Sequence, residues 1–213
     1  MFIVGRFGEA LGEHLRRHLS TYVLAGIIFV MGVVFGALAV ETLNARQKDE
    51  LARYLVVFLQ GFGEGRHVSK AAVARASLYA NLKTVLFAWL LGLSVIGAPL
   101  ILVLLFARGF MIGFTVGFLV NEMILKGVLF ALVSIVPHNA LIVPATLLAC
   151  VSALSFALAT VRRRLAGGGI GVYPKFIGMT FLSILSSIIL LLAALVEAYI
   201  TPVFIELATR YLI

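Results

Sequence analysis

Residues 22–40 read YVLAGIIFVMGVVFGALAV, an uncharged stretch lying between Arg17 and Glu41. A hydrocarbon layer of ~30 Å is crossed by about 20 apolar residues rising 1.5 Å each, so this run is long enough for one transmembrane helix. Arg16 and Arg17 before it, with Ala37-Leu38-Ala39 inside it, mimic a secretory leader. A leader's apolar region is only about 7–15 residues, however, and further long apolar runs follow, so we expect a retained first span. The whole chain repeats the pattern. Of its 213 residues 62% are hydrophobic and 12% charged, and the mean hydropathy is +1.14. Ordinary soluble domains carry about 25% charge, and a chain with this little cannot cover its surface with polar groups in water. These figures exclude a disordered protein, a disulfide-framed secreted domain and a nucleic-acid module. The net charge of +8 then reads as anchoring at a cytoplasmic face and contact with anionic lipid. Cys150 is the sole cysteine and forms no internal disulfide.

Working outward, apolar runs recur at 85–106, 109–125, 127–161 and 176–198. The expected fold is all-α, a polytopic bundle of five spans forming one integral membrane domain over residues 1–213. The fourth run is too long for one straight span and contains Pro137 and Pro144, which predicts a break where backbone hydrogen bonds are lost. With five spans the termini lie on opposite sides. Arg162-Arg163-Arg164 abuts a span in a short loop, where basic residues weigh most. Arg6, Arg16, Arg17, Arg108 and Lys175 fall on the same side. The expected topology is a cytoplasmic N-terminus and an extracytoplasmic C-terminus in the cell membrane. Residues 41–80 form the one sizeable segment outside the spans. There Leu51, Leu55, Phe58 and Phe62 recur at helical spacing opposite charged residues, an amphipathic helix that either lies on lipid and the protein's own spans or docks a partner. Gly61, Gly63 and Gly65 are expected to end it. The tail 203–213, with Glu206 and Arg210, reads as a second interfacial helix.

Gly109, Gly113 and Gly117, and separately Gly32 and Gly36, repeat every four residues. That spacing clears one helix face of side chains and lets a neighbouring backbone approach, within the chain or in a homo-oligomer. Ionisable groups inside spans are costly and count as functional candidates. Arg108 is expected to reach cytoplasmic headgroups, and Glu122 with Lys126 to form an ion pair at a span end. His138 and Asn139 sit by the expected proline break. Glu197 approaches Pro202 at the end of the fifth run, either buried and needing a donor or level with the outer headgroups.

Catalytic patterns are missing. His14 and His18 have metal-ligand spacing on a helix, but Arg16 and Arg17 lie between them and no carboxylate or cysteine completes a set. No HExxH, GxSxG or phosphate-loop motif occurs. Gly167-Gly168-Gly169 reads as a flexible turn. No cofactor or metal site is expected.

Four stretches carry a likeness. They are Asn81-Leu82-Lys83 leading to Gly92 and Gly97; Arg108-Gly109-Phe110-Met111-Ile112-Gly113-Phe114; Ile135 through Pro137-His138-Asn139 to Pro144-Ala145; and Glu197-Ala198-Tyr199-Ile200-Thr201-Pro202. In these the chain resembles the stage II sporulation protein M family of polytopic membrane proteins, over residues 20–205. Two places depart from the family's pattern. Asn139 and Ile142 stand where a glycine and a glutamate are usual, and Arg108 replaces an asparagine. The resemblance implies a non-enzymatic membrane scaffold that recruits peptidoglycan-degrading enzymes at the septum of spore formers. A transporter or permease-like subunit, with its site at the expected helix break, is the competing expectation. The partners expected are membrane lipid and other membrane or cell-wall proteins, and no nucleic acid.

Overall fold

The computed structural model describes residues 12–63, 69–94, 96–166 and 172–205, and all of its regular structure there is helical. Helix α1 (Leu19–Ala39) closes with a 3-10 turn (Val40–Thr42), and α2 (Ala45–Gly63) follows. Then come α3 (Lys70–Leu93), α4 (Gly97–Ser134), α5 (Val136–Ala166) and α6 (Val172–Leu195). A π-helical turn (Val196–Ile200) continues α6, and the helix runs on to Ile205. Five helical stretches are long and apolar enough to cross a membrane: Leu19–Thr42, Lys70–Leu93, Gly97–Ile124, Val136–Arg163 and Tyr173–Ile205. Their outward faces carry Leu, Ile, Val and Phe, an exterior suited to lipid.

The boundaries differ from those expected. The apolar stretch 85–106 is divided between α3 and α4 by a tight turn at Ser94–Gly97. Ser94 Oγ accepts from the Ile96 N–H, and the Gly97 N–H donates to the Ser94 carbonyl. A Cβ on Gly97 would lie 1.6 Å from the Leu91 carbonyl oxygen, so only glycine fits. Because the turn is made by backbone geometry among apolar residues, hydropathy alone does not reveal it. The stretch 127–161 is likewise no single span. Residues up to 134 finish α4, and α5 starts afresh at Val136. Pro137 falls in the first turn of α5, where its missing N–H has no helical partner anyway. Helix α5 continues through Pro144, so the expected break is present only beside Pro137, as the α4–α5 boundary. A further interruption is at Ile124, whose φ of 48° kinks α4 between Glu122 and Lys126. Those two form no ion pair; among the described residues only Arg17–Glu13 and Arg46–Glu50 do.

Helix α5 is the axle of the bundle. In its spanning stretch 67% of residues are buried, against 22–39% for the others. Its Cys150, Val151, Ala153 and Leu154 pack with Ala25, Ala88, Ile101 and Leu105 from α1, α3 and α4. The most extensive pairing is α1 with α4, and every glycine of both repeats lies in it. A Cβ on Gly32 or Gly36 would stand 2.3 or 2.2 Å from the Phe106 or Phe110 carbonyl oxygen. One on Gly109 or Gly113 would stand 2.2 or 1.9 Å from that of Phe29 or Val33, and Gly117 faces Ala37. The repeats thus serve packing within the chain.

Outside the spans, Asn44 and Gln47 cap α2 reciprocally. The Gln47 N–H donates to Asn44 Oδ1 at 2.9 Å, and the Asn44 N–H to Gln47 Oε1 at 3.1 Å. The helix persists through Gly61 to Gly63, so Gly61 does not end it. Gly65, the side chains of Phe58 and Phe62, Gly167–Gly169, Arg6 and the expected tail helix from Glu206 onward lie outside the described residues.

The same substitution at two glycines tests the α1–α4 packing. Gly113→Ala is expected to destabilise the protein by about 1–3 kcal/mol through overpacking, despite alanine's better helix propensity. Gly178→Ala, with nothing within 4 Å of the new methyl, is expected to be neutral or slightly stabilising. Unfolding in mixed micelles reads both, and a loss of similar size at the two sites would contradict the packing.

Candidate functional site

Arg108 is not at a membrane surface. Counted at 1.5 Å per residue, it lies about 17 Å along α4 from Gly97 and about 24 Å from Ile124. Headgroups at either end are beyond the reach of its side chain, which corrects the expected snorkelling and removes Arg108 from the tally of cytoplasmic cations. The protein supplies its partners instead. Arg108 Nη2 donates to Asn81 Oδ1 and to Thr84 Oγ1, each at 2.8 Å.

From Asn81 the bonding continues. Asn81 Nδ2 donates to Ser77 Oγ at 3.3 Å, and the Ser77 hydroxyl donates in turn to Glu197 Oε2. Each neutral side chain accepts from the cation's side and donates toward the carboxylate. The result is an ion pair stretched through an amide and a hydroxyl, joining α4, α3 and the π turn after α6. Local structure explains the alignment. Ser77, Asn81 and Thr84 share one face of α3 at helical spacing, with Ser77 and Asn81 buried. The π turn re-aims the chain at Glu197, and Pro202 shortly beyond has no N–H with which to continue an ordinary ladder.

His138 and Asn139 enter from the first turn of α5. Asn139 Nδ2 donates to the Ile135 carbonyl at 2.9 Å and lies 3.0 Å from His138 Nε2. His138 Nδ1 is buried with no hydrogen-bond partner among the described residues. Arg108, Asn81, Ser77, His138, Asn139 and Glu197, with Thr115, Ile135 and Ile142, line one cavity of about 360 Å³. Arg108, His138, Asn139 and Glu197, picked from the sequence, therefore meet in one place, while Glu122 and Lys126 do not join them. Arg108, Asn139 and Ile142, the three positions noted as departing from the pattern of the resembled family, share that cavity.

Ser77 and Thr84 were not anticipated, because the sequence reading opens the second span at Val85. Their signal was present: Ser77, Asn81 and Thr84 recur at i, i+4 and i+7. The docking stripe is partly used at home. Leu55 packs against the cluster of Leu119, Phe130, Ala131 and Ile205, and Leu51 is half-buried. Ser134 and Ser152 donate to carbonyls of their own helix, Phe130 and Ala149. Among the described residues no three His, Cys, Asp or Glu side chains are grouped to hold a metal ion.

The fold and this buried polar chain define a polytopic, all-helical membrane protein whose spans are tied together by a charged network. The family model for stage II sporulation protein M matches residues 25–202, and the chain belongs to that family. No curated protein and no solved structure matches it.

Two substitutions on α3 test the relay. Asn81→Leu removes its middle link and is expected to cost about 2–3 kcal/mol, because the Arg108 charge is left poorly compensated inside the span. Thr84→Val removes one interhelical bond and is expected to cost about 1 kcal/mol. Denaturation in mixed micelles ranks the two, and the reverse order would contradict the assignment.

Proposed function

We propose that this protein is a non-enzymatic membrane scaffold. It holds α2 as a fixed docking element beside a rigid bundle and recruits partners that act on the cell wall. The observation that carries the reading is the placement of α2. Leu55 secures the helix to the bundle, while Tyr54, Val56 and Val57 stand 77%, 49% and 67% exposed on the same element. Those residues replace the Leu51/Leu55 stripe as the candidate docking face. Membership of the stage II sporulation protein M family supports the same reading. The α2 face is extracytoplasmic in this scheme, with the basic groups Arg16, Arg17, Arg162, Arg163 and Lys175 gathered at the other end.

A photo-crosslinking residue at Tyr54 is expected to capture a protein with a peptidoglycan-hydrolase domain, and Val57→Asp to abolish the adduct without altering membrane insertion. Adducts to lipid alone would contradict the docking role. Topology is checked separately in a Cys150→Ser background. A cysteine at residue 48 is expected to react with an impermeant maleimide in intact cells, and one at residue 163 only after permeabilisation. The opposite pattern would invert the orientation.

A second reading, a transporter or permease-like subunit, is favoured by one observation: His138 stands with Arg108 and Glu197 around the 360 Å³ cavity within the spans. On that reading His138→Ala abolishes substrate flux in proteoliposomes. Absence of flux in the unmodified protein across a panel of ions and small solutes would retire it.

A further inference from the structure

At the end of the bundle opposite α2, the helical residues just ahead of α1, the middle of α5 and the start of α6 enclose a second polar cavity of about 380 Å³. Glu13, His14, Arg17 and His18 line it from the helical residues ahead of α1, Lys175 from α6, and Ser152 and Ser155 from α5. Several features leave the cavity short of an anion. His14 Nε2 and Ser155 Oγ are buried without a hydrogen-bond partner among the described residues. Lys175 makes no ion pair with a described residue. Arg17 has only Glu13, at 2.6 Å, and both side chains are more than 60% exposed. Such a pair is weak and readily exchanged. The histidines report the same imbalance. Burial and then the nearby His18 hold His14 below the ordinary histidine range. Burial, then Lys175 and Arg17, do the same to His18.

The position of the cavity narrows the ligand. His14, Arg17 and His18 immediately precede the first spanning stretch, and Lys175 stands at the start of the fifth. The cations therefore lie at headgroup level, while Ser155 and Phe156 lead down between spans toward the acyl region. Basic pockets between spans suit phosphate-bearing headgroups: the guanidinium and ammonium meet the charge, and hydroxyl and imidazole N–H groups donate to its oxygens. We propose that this pocket is a phosphate site, filled from the surrounding leaflet by an anionic phospholipid headgroup.

The test uses the full-length protein in neutral detergent, with native mass spectrometry and calorimetry as readouts. The ligands are dioctanoyl phosphatidylglycerol, dioctanoyl phosphatidylcholine and inorganic phosphate. Phosphatidylglycerol is expected to bind in preference to phosphatidylcholine. The double variant Arg17→Gln/Lys175→Gln is expected to weaken that binding about tenfold or more, at roughly 1 kcal/mol per cation. Both side chains are exposed, so unchanged melting without lipid serves as the folding control. Glu13→Gln removes the competing carboxylate and is expected to tighten binding, a gain that a damaged fold would not give. Arg163→Gln, an exposed cation that does not line the cavity, is expected to leave affinity unchanged. Binding of inorganic phosphate as tight as that of the lipid would overturn the lipid source. Equal losses in the Arg163 and Arg17/Lys175 variants, or no loss in the latter, would overturn the site itself.

Discussion

A guanidinium halfway along a membrane span is out of reach of the headgroups, so its charge must be met inside the bundle. Arg108 imposes that condition here, and the condition fixes much of the bundle. The side chain requires acceptors on a neighbouring helix at its own depth, which sets the register of α3 against α4 so that Asn81 and Thr84 lie opposite it. A counter-charge is also required. Glu197 provides it from the far end of α6, relayed through Ser77 and Asn81 instead of by direct contact. Lipid offers no competing partner, so each link is costly to leave open.

Packing makes that register attainable. The glycine faces of α1 and α4 bring their backbones close enough that a single methyl at Gly36 or Gly113 would collide with a carbonyl oxygen. With α4 held on α1 and the strongly buried α5 filling the centre, the polar relay lies between α3, α4 and the end of α6. The cavity beside it is bounded by the first turn of α5, where Pro137 needs no hydrogen bond and Asn139 bonds the Ile135 carbonyl. The polar interior and the α2 platform meet near the same end of the molecule, since α2 rests on residues from the ends of α4 and α6.

Sequence reasoning located the class and the chemistry better than the boundaries. Five spans, the glycine faces and the family follow from composition, four-residue repeats and motif stretches, because lipid leaves few ways to bury a backbone. Hydropathy failed where two apolar helices meet without a polar loop. The turn at Ser94–Gly97 is a backbone event inside an apolar run, and missing it moved Arg108 from mid-span to a surface. The same error hid Ser77 and Thr84. Proline was over-read in the other direction. Pro137 does stand at a helix boundary, but Pro144 is carried within α5, and the kink in α4 comes from Ile124, a residue type that gives no such warning in sequence. His138, Asn139, Glu197 and Arg108 were each identifiable as costly in lipid, but only folding shows that they share a cavity.

The long-range coupling of Arg108 to Glu197 is most directly measured by a double-mutant cycle, using Arg108→Leu, Glu197→Leu and the double variant unfolded in mixed micelles. A relay joining the two charges leaves one of them uncompensated in either single variant. The double variant should then be less destabilised than the sum of the singles by about 1 kcal/mol or more. Strict additivity would show that the two charges are held independently, and the relay would not be what ties the spans together.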